Sequence, residues 1–353
     1  MEETRKDYGG SRANGPRITV IGGGHGLSNM LRGLKRYTEN LSAVVTVADD
    51  GGGSGRLRED LGMLPPGDIR NCMVALANTE PMMRDLLNYR FSEGVLAGQS
   101  FGNLFLAAMN GISDSFDLAV RRMSQVLAIT GRVLPVTTAD VQLVAEFENG
   151  ASVVGESKIF RCKKEQDCRI RRVRLQPAGA QALPEALEAI READMIILGP
   201  GSLYTSIIPN LLVGGIPEAI QQSDALKVYV CNIMTQDGET EGYTVADHIS
   251  ALLQHGGTGL FDLCLTNSAE IPAEVADRYA AEGAAPITCD CGICDQTGVE
   301  LMARPVAMVK DGFVRHEPEQ LARELMQIYT DRAIRIADGR SGHTAYRLER
   351  KDD

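Results

Sequence analysis

The chain has 353 residues, a net charge of −11, 44% hydrophobic and 24% charged residues, and no tryptophan. That length buries a substantial core, and with aromatics at 5% the core must be aliphatic. The negative balance argues against non-specific binding to nucleic acid or to anionic membranes, so local donors must hold any anionic ligand.

Residues 1–15 are polar, lack an apolar core and read as a disordered leader rather than a signal peptide. No apolar run approaches the roughly 18 residues of a membrane span, so cytoplasmic residence is expected. Residues 17–21 (RITVI) predict a strand running into Gly22-Gly23-Gly24-His25-Gly26. Leu27, Met30, Leu31 and Leu34 then fall on one helical face. A second strand, 43–48, ends in Asp49-Asp50 and another glycine cluster, Gly51-Gly52-Gly53-Ser54-Gly55.

Four helical patterns follow, making a helical segment over about 68–130. Ile69, Met73 and Leu76 mark the first, and Met82, Leu86 and Tyr89 the second. The third starts near Asn103 as an N-cap, and the fourth carries Phe116, Val120, Met123 and Leu127. Alternating apolar residues around Asn149-Gly150 predict an antiparallel hairpin insertion over about 139–175. Its seven Lys/Arg between 161 and 174 suit a solvated face or a subunit contact.

Pro184 opens a helix at 185–191, and Met195-Ile196-Ile197-Leu198 is a buried strand ending in Gly199-Pro200-Gly201-Ser202. Further strands fall at 227–233 and 260–265, a last helix carries Leu321, Leu325 and Ile328, and 338–353 is a polar tail. Strands alternating with helices predict one α/β domain over 16–337. Its fold is Rossmann-like, with a doubly wound, mainly parallel sheet in a three-layer sandwich. Ligands of such sheets sit beyond the carboxyl ends of the strands.

The loops at those ends carry the candidate chemistry. The dinucleotide fingerprint fails, because Leu27 stands where its third glycine is required, and no P-loop is present. Gly22, Gly23, Gly24, His25 and Gly26 nonetheless let backbone N–H groups approach a phosphate at a helix N-terminus. Asp49 and Asp50 could hold Mg²⁺, bond a sugar hydroxyl or cap the following turn. Gly52 and Ser54 belong to the same loop, with Arg56, Arg58 and Arg70 as counter-ions and Asn103 beyond them. Gly201, Ser202 and Thr205 form a second donor-rich loop, and Asn232, Thr235 and Glu239 a third.

The eight cysteines include Cys289, Cys291 and Cys294, a C-x-C-x2-C run. A structural zinc site needs a second ligand pair, and none follows, so these are expected to be metal-free thiols. No H-E-x-x-H and no nucleophile elbow occurs.

Read together, VIGGGHGL, VADDGGGSGRLR, PPGDIRN, GNLF, LGPGSLYTSIIPNLL and CNIMTQ-x-GET-x-GYT-x-ADH form a dense set over about residues 17–330. In that order they resemble the YvcK-type gluconeogenesis factors, part of the 2-phospho-L-lactate transferase (CofD) superfamily. The resemblance implies a cytoplasmic protein that binds UDP-sugars such as UDP-N-acetylglucosamine, without a tightly bound cofactor. It also implies a role in cell-wall precursor supply and cell shape on gluconeogenic carbon. Tyr279 in RYAAEG and Arg315 in FVRHEP match positions the family ties to UDP-sugar binding.

After the aspartate pair, GGGSGRLRED departs from the transferase branch. The expected function is therefore a regulator that reports UDP-sugar level to an enzyme of amino-sugar synthesis, working as a homo-oligomer. The alternative is an Mg²⁺-dependent phospho- or nucleotidyl-transferase using Asp49 and Asp50.

Overall fold

The computed structural model describes Ala13, residues 15–289 and residues 297–337. The expected leader and tail fall almost wholly outside these residues, as do Cys291 and Cys294.

The first strand, β1 (Ile18–Gly22), is wholly buried and leads into α1 (Gly24–Leu34), whose Leu27, Met30, Leu31 and Leu34 are all buried as their spacing predicts. After β2 (Leu41–Val45) come α2 (Gly52–Leu61), α3 (Gly67–Leu76), α4 (Pro81–Asn88), α5 (Phe101–Gly111) and α6 (Phe116–Val126). The chain then forms β3 (Arg132–Pro135), β4 (Gln142–Phe147), β5 (Ser152–Val154), α7 (Glu156–Gln166) and β6 (Ile170–Gln176). Next are α8 (Pro184–Arg191), β7 (Met195–Leu198), a π-helical turn at Leu203–Ile207, α9 (Ile208–Leu211), α10 (Ile216–Gln222) and β8 (Leu226–Val230). The last elements are α11 (Val245–Gly256), β9 (Leu263–Asn267), α12 (Ala273–Ala281), β10 (Glu300–Arg304), β11 (Ala307–Lys310), β12 (Phe313–His316) and α13 (Pro318–Ala337).

Seven strands make one parallel sheet in the order β10-β9-β8-β7-β1-β2-β3. Helices α1, α3 and α13 pack together, and α8, α9, α10 and α11 form a second group. The chain leaves β1 toward β2 and β3, then returns on the other side through β7. The strand order therefore reverses between β1 and β7, and loops leaving those two ends diverge and open a crevice. The glycine-rich loops after β1 and β7 are the two at this reversal.

Several expectations need correcting. The second glycine cluster is not a loop, because α2 begins at Gly52. A Cβ on Gly55 would stand 2.1 Å from the Asp50 carbonyl oxygen, so close packing rather than helix propensity selects glycine here. The helical segment thus starts earlier than 68. Asn103 is not the N-cap of α5; Ser100 is, and its hydroxyl accepts from the Asn103 N–H.

The insertion is not a bare hairpin. Its three antiparallel strands, β5-β4-β6, carry α7 between β5 and β6, and the Asn149-Gly150 turn joins β4 to β5. The spacing of Met82, Leu86 and Tyr89 gives helix α4, but those side chains face solvent and only Leu87 is buried.

Candidate functional site

The glycine loop is shaped by what lies beneath it. Gly24 has φ +72°, and Gly23 caps α1 without any side-chain bond. A Cβ on Gly23 would stand 2.5 Å from a carboxylate oxygen of Asp68, and one on Gly26 would stand 2.7 Å from the Pro200 carbonyl oxygen. Asp68, in the first turn of α3, accepts a hydrogen bond from the Gly24 N–H. Burial, reinforced by the nearby Asp49 charge, pushes its carboxyl up to about 6.

Beside this loop lies a cavity of about 540 Å³. It brings together His25, Gly26, Gly201, Ser202, Asn232, Thr235, Tyr279 and Arg315 from the first turn of α1, the loops after β7 and β8, α12 and β12. Asn232 donates to the Gly201 carbonyl at 2.8 Å and accepts from the Gly201 N–H at 3.3 Å, which ties two of these loops together. The Ser202 hydroxyl donates to Gln236 at 2.8 Å, and the buried Thr235 hydroxyl accepts from the Ala285 N–H. Tyr279 accepts from the Val314 N–H at 3.0 Å, so α12 holds β12, while Arg315 lies 5.7 Å from the Phe313 ring centroid.

Burial, and then the Arg315 guanidinium, push the His25 imidazole below its ordinary range, with Arg70, Arg32 and Arg90 acting in the same direction. An anion at the mouth of the loop meets converging positive charge.

Asp49 and Asp50 lie in a second, carboxylate-rich group. Asp49 accepts from the Gly51 N–H at 2.8 Å and from Ser54, so it caps the turn into α2. Burial still raises its pKa. Asp50 accepts from the Ser157 N–H at 2.8 Å, and next to it Glu156 is pushed up to about 8 by burial and then by Asp49 and Asp50. Glu239 is fully buried and accepts from the Tyr204 and Thr205 N–H groups, its carboxyl raised to about 7 by burial. Among the described residues no His, Cys, Asp and Glu side chains stand in a metal-binding arrangement.

The remaining predicted residues divide. Gly52 is exposed with open space where a Cβ would lie, and Ser54 is buried against Asp49. Arg56 turns away to the Ala97 carbonyl, and Arg58 pairs with Asp140 at 2.5 Å to anchor the insertion. Thr205 uses its N–H on Glu239, and Asn103 serves Arg70, accepting from its Nε at 3.3 Å.

Sequence reading missed Asp68 and Glu156. Asp68 stands in PPGDIRN, where an acid opening a helix reads as a cap. Glu156 carries no local signal, because only the fold of the insertion brings it to Asp49.

The chain matches the family described as 2-phospho-L-lactate transferase CofD across residues 18–307. A relative from Thermoanaerobacterium thermosulfurigenes is 57% identical over 313 residues, covering 89% of this chain and 97% of its own. The gluconeogenesis factor of Bacillus subtilis is 49% identical over 314 residues, covering 89% and 98%. A crystal structure of a UPF0052 family protein from Bacillus halodurans superposes with a TM-score of 0.84 at 46% identity, over 88% of this chain and 99% of that one. With the glycine loops at the strand-order reversal and identity at this level over nearly nine-tenths of its length, the chain belongs to the CofD family, among the gluconeogenesis factors.

Proposed function

We propose that this protein is a UDP-sugar-binding regulator of the gluconeogenesis-factor type. The observation that carries the reading is the cavity between the start of α1 and the β7 loop, lined by Gly26, Gly201 and Ser202 with Tyr279, Arg315 and His25 around it. A diphosphate suits the first turn of α1 and the cations near it. A uracil suits the aromatic and guanidinium surface of Tyr279, Phe313 and Arg315.

Binding would report UDP-N-acetylglucosamine level to an enzyme of amino-sugar synthesis, matching cell-wall precursor supply and cell shape to growth on gluconeogenic carbon. The relatives' name supports the metabolic side of this role. The same reading makes the protein a cytoplasmic homo-oligomer. Separately, no helix among the described residues is long and apolar enough to cross a membrane.

Calorimetry with UDP-N-acetylglucosamine, NAD and ATP tests the ligand. The uridine sugar should bind tightest, and tighter binding of NAD would reject the assignment.

The second reading, Mg²⁺-dependent group transfer, is favoured by one observation. The Glu156 carboxyl feels Asp49, Asp50 and Asp68 together, and Asp68 accepts from the Gly24 N–H at the start of α1. A divalent cation would relieve this repulsion only if the carboxylates shifted, since as they stand they form no metal-binding arrangement.

A further inference from the structure

Helix α4 has the apolar spacing of a helix that packs on a core, but the stripe points outward. Met82, Leu86 and Tyr89 recur at i, i+4 and i+7, and all three are exposed, Met82 by 79%, while Leu87 is the buried residue of the helix. The close seat of α4 on α5 fixes this orientation, since a Cβ on Gly102 would stand 2.6 Å from the Leu87 carbonyl oxygen.

The chain carries the same surface into a hairpin. The Phe91 N–H donates to the Gln99 carbonyl at 2.9 Å, and the Phe91 carbonyl accepts from the Gly98 N–H at 2.8 Å. The Tyr89 and Phe91 rings meet edge to face with centroids 5.1 Å apart. At the tip Val95 is 97% exposed, with Leu96 beside it. Arg56 and Arg90 donate to the Ala97 and Gly98 carbonyls and hold the base of the hairpin. Helix α5 behind it carries no charged residue, yet its stacked Phe101 and Phe105 rings are only half-buried.

The exposed side chains of α4 and the hairpin make an apolar patch on the order of 500 Å², above the few hundred that a free surface ordinarily carries. A homodimer interface buries roughly 800 Å² per copy, about 65% of it apolar, so the area fits one.

Charge says which partner. Arg84 and Asp85 stand side by side on α4, both exposed. Neither forms an ion pair among the described residues, and Arg84 acts within its own chain on Arg32 and Lys35, which share its sign. A partner surface of one sign would leave one of the two unmatched. In a two-fold contact residue i meets j and j meets i, so two antiparallel α4 helices set each Arg84 against the partner's Asp85. We infer that α4 and the hairpin after it are the surface on which a second copy of this chain docks, by a two-fold axis across α4. This deepens the homo-oligomer part of the proposed function and does not depend on the ligand.

The test is sedimentation velocity on the full chain, from low to high micromolar concentration. The wild type should dimerise, and Leu86→Asp and Val95→Asp should each weaken the dimer by about 30-fold or more, the loss of a central apolar anchor. Both side chains are exposed, so the variants should keep their far-ultraviolet circular dichroism. Ile334→Asp, another exposed apolar residue on α13, should associate as wild type. Arg84→Asp should weaken the dimer by about 10-fold or more, and adding Asp85→Arg to the same chain should restore it.

Dimers that survive both apolar variants overturn this inference and leave the homo-oligomer reading standing. A wild type that stays monomeric overturns both and gives the face to a different protein. Failure of the double variant to restore a dimer lost in Arg84→Asp overturns the two-fold pairing.

Discussion

The Asp50 carboxylate accepts a hydrogen bond from the backbone N–H of Ser157 at 2.8 Å, fastening the start of α7 to the segment after β2. The far end of α7 is held by Lys163 on Glu241 and Lys164 on Asp237, in the loop after β8. One helix of the insertion thus spans both groups of candidate residues, with Glu156 at the carboxylates and Phe160 at the cavity wall.

The position of Glu156 makes stability depend on pH in a defined direction. Its pKa is raised from 4.5 to about 8, so the folded protein holds this proton more tightly than the unfolded chain. The contribution is complete below pH 4.5 and is lost as pH rises through about 8. Glu156→Gln removes the ionisation, so the variant should melt higher than wild type at pH 8, and the two curves should meet near pH 4.5. Parallel curves across that range would show that Glu156 does not feel its neighbours.

Arg315→Ala should weaken UDP-N-acetylglucosamine binding about 10-fold or more, a charge-assisted hydrogen bond being worth ~1.5–3 kcal/mol. Tyr279→Phe keeps the ring and removes the acceptor for the Val314 N–H, so it should destabilise the hairpin by about 0.5–1.5 kcal/mol. Tyr279→Ala loses ring and bond together and should bind less well than the Phe variant. Calorimetry beside thermal melts separates binding from folding, and equal affinity in all three variants would remove both residues from the site.

Gly33→Ala tests the packing that fixes the angle of α1. An added Cβ would stand 1.9 Å from the Pro318 carbonyl oxygen and 2.9 Å from the Ala322 Cβ. Helix α13 must move away, which costs at least ~1–3 kcal/mol in chemical denaturation. An unchanged midpoint would mean that α13 docks loosely.

Asp50→Asn separates sensing from catalysis. With UTP, N-acetylglucosamine 1-phosphate and Mg²⁺, a sensor releases no pyrophosphate, and the substitution changes ligand affinity only modestly. Turnover above ~1 s⁻¹ that disappears in Asp50→Asn would establish the transferase reading instead.

Strands β1 and β7 were legible because both faces of a central parallel strand are buried, which writes a continuous apolar run into Ile18–Gly22 and Met195–Leu198. Helix α2 was hidden, since its Gly52, Gly53 and Gly55 oppose helix propensity; Gly53 and Gly55 follow from close approach to Gln99 and Asp50, and Gly52 from its φ of +49°. Helix α7 buries only Ile159 and so shows no apolar stripe to read. The glycine loops could be placed from their neighbours in sequence. The carboxylate group could not, because Asp49, Asp68 and Glu156 meet only through tertiary structure.

The paired bonds between Asn232 and Gly201 bear on the thermodynamics of recognition. They close a small ring between the loops after β7 and β8, so both are already ordered when a ligand arrives. Little conformational entropy remains to be lost on association, and most of the contact energy is available as affinity. Asn232→Ala would leave the cavity's shape nearly intact and let the Gly201 backbone move. Its mark should be a more unfavourable binding entropy and a faster dissociation rate, with the enthalpy of the remaining contacts preserved.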